Sequence, residues 1–322
     1  MLDIKFVREN PETIRADLRK RGRDGDTWIV DDLLAKDRQS RALKVEIDRL
    51  RQRRNSIARE INEARKAGRD CSDLLREASS LPEKIKELES AIESLSREIR
   101  GILMSLPNIL HESVPVGKDD SDNLELRRVG TPRTFDFPLR NHGELAAERG
   151  WADFERAART AGAGFYYLKG SLVLLDLALQ RFAIDLLTGK GFLPVIPPYM
   201  MNRASYEGVT DLADFENVMY KVEDDDAYLI ATSEHPLCAM YQDEIFEERD
   251  LPLRLCGVSP CFRREIGSHG LDTKGLFRVH QFHKVEQFIF CRPEESWDLH
   301  EELLANAEEI YTLLGLPFRV VS

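Results

Sequence analysis

Residues 259–290, SPCFRREIGSHGLDTKGLFRVHQFHKVEQFIF, read as two charged strands joined by a long glycine-containing loop. Side chains alternate across a strand. Arg278, His280, Phe282, Lys284 and Glu286 therefore fall on one face, and Val279, Gln281, His283 and Val285 on the other. On the first strand Arg263 and Glu265 are two apart and point the same way. Two arginines, a lysine, two carboxylates and an aromatic converging on one face make a site for a flat, charged, phosphorylated ligand. The alternative is a solvated edge hairpin. Gly267, Gly270 and Gly275 punctuate a loop of about a dozen residues that carries His269, Asp272 and Lys274. That is longer than a tight hairpin needs, and loops of that length are often functional.

Around this hairpin lie 322 residues, enough for two domains and a sizeable core. The net charge of −11 excludes a generally basic nucleic-acid coat, so a nucleic acid must bind a local patch. The amino terminus, MLDIKFVRENPETIRADLRK, is charged from Asp3 onward and has no apolar h-region, unlike a signal peptide. No stretch approaches the apolar length of a membrane span. The five cysteines, Cys71, Cys238, Cys256, Cys261 and Cys291, form no CxxC pair and fit reduced thiols in the cytoplasm. Cys256 and Cys261 read as buried strand residues, and no metal ligands are assigned.

From about residue 31 to 104 proline and aromatics almost vanish and heptads appear. Leu43, Ile47, Leu50, Ile57, Ile61 and Ala64 follow four-three spacing, with Arg54 in one apolar slot. Leu81, Ile85, Leu88, Ile92, Leu95, Ile99 and Ile102 follow it without a gap. A break at Lys66–Ser72, with Gly68 and Asp70, predicts an antiparallel coiled-coil hairpin whose legs reach roughly 50 Å at 1.5 Å per residue. Pro82 suits a first turn, so the returning leg is expected to kink or restart there, capped by Ser79 or Ser80. Residues 49–69 hold Arg49, Arg51, Arg53, Arg54, Arg59, Arg65, Lys66 and Arg69 against only Glu60 and Glu63. Two readings stay open for this excess: solvated flanks with inter-helix ion pairs, or a phosphate-backbone contact surface.

Beyond the arm, residues 106–123 are rich in Pro, Gly and Asp and read as a linker. Residues 141–160 and 171–188 look helical. GFLPVIPPYM (191–200) is a proline-punctuated extended segment suited to an edge or an interface. DAYLIATSEHPLCAMY (226–241) reads as a strand running into a helix start.

Taken in order, MLDIKFVRENPE, LPNILHESVP, GFYYLKG, GFLPVIPPYM, TSEHP and FRREIGSHGLDTKGLFRVHQFHKVEQF resemble the seryl-tRNA synthetases that carry an amino-terminal coiled-coil arm. The last block is similar to motif 2 of class II synthetases, and 191–200 to motif 1. The resemblance implies an α+β fold: a helical hairpin, then a mostly antiparallel sheet flanked by helices. It divides the chain into a tRNA-binding domain at 1–105, a linker at 106–125 and a catalytic core at 126–322.

The implied chemistry joins ATP and L-serine into seryl-adenylate and pyrophosphate, then moves the seryl group to the terminal ribose of tRNA(Ser). Magnesium is expected with ATP. The serine carboxylate attacks the α-phosphate directly, so catalysis rests on positioning and charge stabilisation. By resemblance, Arg263 steadies the α-phosphate with its planar fork and Glu265 sits beside the adenine edge. Arg264 and the stretch Val279, His280, Gln281 and Phe282 contact ATP, with the Phe282 ring beneath the adenine. Thr232, Ser233, Glu234 and Glu286 bind serine, although a TSE run alone can equally cap a helix. Arg51, Arg53, Arg54 and Arg59 grip the tRNA backbone. A homodimer joined around Pro197–Pro198, in the cytoplasm and without membrane contact, completes the expectation.

Family members continue past the position of Ser322, through motif 3 and more of the ATP and serine contacts. The resemblance therefore implies a carboxyl-terminal truncation and an inactive or poorly closed sheet. A non-catalytic tRNA-binding paralogue is the alternative of a different class. Ligation of serine to a smaller carrier is disfavoured by the arm.

Overall fold

The computed structural model of the chain describes residues 2–117, 119–210, 215–265 and 275–322. The loop residues Gly267, His269, Gly270, Asp272 and Lys274 lie outside the described residues. The chain divides into two compact units, Met1–Arg127 with Val320–Ser322, and Arg128–Arg319.

In the first unit, α1 (Ile4–Glu9) is capped by Asp3, whose carboxylate accepts from the backbone N of Lys5 at 2.7 Å. Pro11, pre-set for a helical φ, opens α2 (Pro11–Lys20). The two legs of the arm are α3 (Trp28–Lys66) and α4 (Ser72–Ser105), of 39 and 34 residues. Gly68, at φ +66, lets the chain turn between them, and Asp70 accepts from Ser72 N at 3.0 Å where α4 begins. The heptads name the seam: Ile47, Ile57, Ala64, Leu81, Ile85 and Leu95 are buried along it. At the base Val7, Ile14, Leu18, Val30, Leu33, Leu103 and Leu106 form the core.

Two details of the arm depart from expectation. Helix α4 runs unbroken through Pro82, and the hydroxyls of Ser79 and Ser80 donate backwards to the carbonyls of Arg76 and Glu77 instead of capping. Proline removes one backbone bond, but Leu81 and Ile85 beside it are buried in the seam and keep the leg in place. Arg54 does not fill an apolar slot; it is exposed, and Arg53 turns to the facing leg. A guanidinium is costly in a dry seam without a carboxylate, and the carboxylates stand where Arg53 can reach them.

Residues 106–123 hold only a short 3-10 turn, Asp120–Asp122, yet they are tied down. Buried Asp17 accepts from Leu110 N at 2.7 Å, and Lys20 Nζ donates to the carbonyls of His111 and Glu112. A two-stranded ribbon pairs β1 (Glu125–Val129) with the final strand, Phe318–Val321.

In the second unit, α5 (His142–Glu148), β2 (Ala152–Asp153) and α6 (Phe154–Ala161) occupy the region expected to be one helix over 141–160. Gly150, at φ +69, ends the first helix. β2 pairs with β3 (Tyr167–Leu168), and α7 (Ser171–Gly189) follows. Next come β4 (Leu193–Val195), β5 (Met200–Asn202), α8 (Arg203–Val209), β6 (Ala227–Leu229) and α9 (Glu234–Ala239). The main sheet has the order β4-β7-β8, with β7 (Leu253–Phe262) antiparallel to β8 (Gln281–Phe290) and parallel to β4. Helix α10 (Ser296–Leu313) precedes β9, the strand Phe318–Val321. One face of the sheet packs Cys256, Val258, Val285 and Ile289 against Leu187 and Leu303. The other face carries the site.

Candidate active site

The antiparallel register sets Cys261 opposite Phe282, Ser259 opposite Lys284 and Gly257 opposite Glu286. Phe282, Lys284 and Glu286 therefore share a face, as the strand period predicts. The segment after β6 lies along it: Phe262 N donates to the carbonyl of Ile230 at 2.8 Å, and Arg263 Nε to that of Ala231 at 3.1 Å.

These bonds bring buried Thr232 over β8, where its hydroxyl is a three-way node. Oγ1 accepts from Lys284 Nζ at 2.9 Å and from Glu234 N at 3.2 Å, and donates to Glu286 Oε2 at 3.2 Å. A hydroxyl has one hydrogen and two lone pairs. All three are used, so its direction is fixed. Lys284 also pairs closely with Glu286 through the same Oε2. Among the described residues no hydrogen bond or ion pair engages Glu286 Oε1.

In the TSE run Thr232 joins the polar cluster and accepts from Glu234 N, the first residue of α9, while Ser233 stands at the N-cap without a side-chain cap bond and Glu234 is exposed. Ser233 is fully buried, and its Oγ has no partner among the described residues.

Two residues with no sequence signal of their own make this packing work. A Cβ on Gly257 would stand 2.8 Å from Leu237 Cδ1 and 2.9 Å from Ser233 Oγ, so only glycine lets α9 lie this close to β7. His235 is buried edge-on against Tyr206 and Phe215, at centroid distances of 5.3 and 6.0 Å. Burial, with the positive charges of Lys284 and Arg263, pushes its imidazole down to about 4. It is neutral at pH 7, so the site's cations are Lys284 and Arg263. Lys284 was legible only as a member of the face, two residues from both Phe282 and Glu286.

The charged ends of the two strands depart from the simple hairpin. β7 stops at Phe262 and β8 starts at Gln281, so Arg263, Arg264, Glu265 and Arg278–His280 lie outside regular strand. Arg263 N still donates to the carbonyl of His280 at 3.0 Å, and the Arg263 guanidinium lies over the Phe282 ring at 5.2 Å. Glu265 lies beyond the end of β7, where strand alternation no longer sets its direction. It sits at φ +45, which turns the chain, and its carboxylate pairs with Arg278 at 2.9 Å. Arg264 is exposed, its backbone N donating to Val218 O at 2.8 Å. Val279 is buried and Gln281 exposed. The His280 ring stacks on Phe165 at 5.1 Å and meets the Tyr220 hydroxyl.

The four arm arginines divide into two pairs. Arg51 Nη2 binds Glu89 at 2.8 Å, and Arg53 grips Glu77 with two bonds of 2.8 Å and Glu60 with one of 2.9 Å. The Glu77 contact raises the Arg53 pKa and lowers that of Glu77. Arg54 and Arg59 are exposed and pair with nothing among the described residues.

Cys256 and Cys261 are buried in β7, and burial pushes the Cys256 thiol up to about 11. Among the described residues no group of three or more His, Cys, Asp or Glu could hold a metal ion. No described helix is long and apolar enough to cross a membrane.

Comparison with known proteins agrees from end to end. Residues 1–110 match the seryl-tRNA synthetase N-terminal domain, and 220–322 the tRNA synthetase class II core domain (G, H, P, S and T). The serine–tRNA ligase of Methanoregula boonei is 71% identical over the whole chain, which spans 76% of that protein. Seryl-tRNA synthetase from Pyrococcus horikoshii, solved complexed with ATP, is 49% identical with a TM-score of 0.93, over all of this chain and 76% of that one. Cytoplasmic serine–tRNA ligase from Naegleria fowleri, solved with AMP, is 32% identical with a TM-score of 0.86, over all of this chain and 77% of that one.

Proposed function

Because this chain belongs to the seryl-tRNA synthetase family, we propose that its Thr232–Lys284–Glu286 cluster and Arg263 form the place where serine and ATP meet. The activity is that of a serine–tRNA ligase of class II: L-serine is activated with ATP to seryl-adenylate, and the seryl group passes to tRNA(Ser). The observation that carries the site assignment is the saturated Thr232 hydroxyl, which leaves Glu286 Oε1 as the directed acceptor for serine.

Glu286 Oε1 takes a hydrogen bond from the serine ammonium or hydroxyl, and Lys284 holds the carboxylate in place through Oε2. A buried acceptor left without a partner penalises alanine, by up to ~10⁴–10⁵ where the pocket is fully closed. Arg263 is held between the carbonyl of Ala231 and the Phe282 ring; a planar fork there steadies the α-phosphate as the serine carboxylate attacks and pyrophosphate leaves. Phe282 offers a flat face to the adenine, and Arg278 holds Glu265 at its edge. Arg264, Val279, His280 and Gln281 frame the nucleotide through the backbone, and Ser233 and Glu234 frame serine. ATP enters as its magnesium complex.

On the arm, exposed Arg54 and Arg59 contact tRNA phosphates, while Arg51 and Arg53 hold the legs together. The tRNA-binding domain takes residues 1–105 and the catalytic core 126–322. A homodimer forms along the apolar run 196–200, where Ile196, Pro198 and Met200 are exposed and Pro197 is buried, at a groove of about 400 Å³. The free cysteines suit the cytoplasm.

ATP–pyrophosphate exchange with each amino acid in turn tests the assignment. Serine alone should support exchange. Exchange with a different amino acid, or with none, overturns it.

A further inference from the structure

Resting on the reading that this face binds ATP, we infer that residues 141–143 form a clasp that positions the stem 275–280 for the nucleotide, with His142 as its positioning residue. The stem leads into β8, carries Arg278 and ends two residues before Phe282. It lies outside regular strand, and its last residue, His280, accepts at its carbonyl from Arg263 N beyond the end of β7 at 3.0 Å. Two backbone N–H groups of the stem are held by upstream residues. Leu276 N donates to His142 Nε2 at 2.9 Å, and His280 N to the carbonyl of Gly164 at 2.9 Å.

Both anchor points are seats for glycine. A Cβ on Gly143 would overlap Gly275 Cα, and one on Gly275 would stand 2.8 Å from His142 Nε2 and 3.1 Å from Gly143 Cα. A Cβ on Gly164 would overlap the His280 ring. Asn141 completes the first seat: its Oδ1 accepts from Gly143 N at 2.7 Å and opens α5 at the contact. Backbone meets backbone here, and His142 supplies a side-chain acceptor for a backbone N–H of the stem. An imidazole accepting at Nε2 is neutral and carries its proton on Nδ1.

The stem sets where Arg278, and through it Glu265, stand relative to the Phe282 ring. Misplacing a binding group by a fraction of an ångström weakens what it binds. His142 touches neither substrate, so its loss should register on ATP and not on serine.

The test compares the whole chain with its His142→Ala and His142→Gln variants. Calorimetric titration with ATP and with serine is combined with amide hydrogen exchange at Leu276 and His280. H142A should weaken ATP roughly tenfold, the effect of one lost hydrogen bond, and leave serine affinity within twofold. Leu276 should lose protection while His280 keeps it. H142Q, whose side-chain carbonyl can accept the same bond, should recover most of the ATP affinity. Unchanged ATP affinity in H142A overturns the inference, as does a parallel loss of serine affinity or a failed rescue. A wild-type chain that binds no ATP overturns the proposed function and this inference with it, a result distinct from any difference between variants.

Discussion

The chain contains two antiparallel hairpins that use charge in opposite ways. In α3–α4 two arginines reach carboxylates of the partner leg, Arg51 to Glu89 and Arg53 to Glu77, and Arg53 also binds Glu60 of its own leg. Arg54 and Arg59 remain outward and unmatched among the described residues. In β7–β8 the charges gather on one face and are satisfied as a set, through the hydroxyl of Thr232 brought in from another segment. Exposed pairs add little because water competes for them. Partly buried clusters are costly to break because each member left alone loses its partner in a low dielectric. Under the proposed function, chemistry belongs to the strand hairpin and tRNA backbone contact to the helical one.

The comparison breaks first at Glu286. Glu286→Gln should cut serine-dependent exchange by roughly 10²–10³-fold, since Lys284 and Thr232 lose a charged partner together. Steady-state exchange kinetics give the answer. A loss below tenfold would place the site's charge balance elsewhere.

A smaller effect concerns His235, whose pKa is depressed first by burial and then by the nearby charges of Lys284 and Arg263. The unfolded chain takes up this proton near 6.5 and the folded chain only near 4. Its contribution is thus present above 6.5 and is lost as pH falls toward 4, about 2 kcal/mol of it by pH 5. His235→Phe should flatten urea-unfolding midpoints between pH 7 and pH 5. An unaltered pH dependence would mean the histidine is not buried neutral.

Gly257→Ala should destabilise by about 1–3 kcal/mol through overpacking against Leu237 and Ser233. It should also raise the serine KM more than the ATP KM, because Thr232 and Glu234 ride on the displaced turn. Equal stability would show that α9 can shift freely.

The smallest effects separate the arm arginines. Arg54→Gln with Arg59→Gln should reduce the log–log salt slope of tRNA binding by about 1.5 and leave the melting temperature unchanged. Arg51→Gln with Arg53→Gln should do the reverse: a slightly lower melting temperature and an unchanged slope. Identical behaviour of the two pairs would erase the distinction drawn between them.

How far each hairpin was legible follows from its physics. Heptads mark the seam because burial enforces spacing, and Ile47, Ile57 and Ile85 lie where the period puts them. The period does not say which long side chain crosses it. Arg53 rather than Arg54 was settled by carboxylates on the other leg, and Pro82 was absorbed by packing that no local rule contains. In the strands, period two placed Phe282, Lys284 and Glu286 together. It overreached at Arg263, Glu265 and His280, where the ladder ends and a positive φ at Glu265 redirects the chain. Gly257 and His142 gave no signal, because their roles depend on segments far away in sequence that fold against them.

The most direct test of the central claim is an equilibrium titration with non-hydrolysable seryl- and alanyl-adenylate analogues, on the wild-type chain and on E286Q. The cluster as described predicts that wild type prefers the seryl analogue by at least roughly 10²-fold, and that E286Q loses most of this preference. Equal affinity of the wild-type chain for the two analogues, or a preference that survives in E286Q, would contradict it.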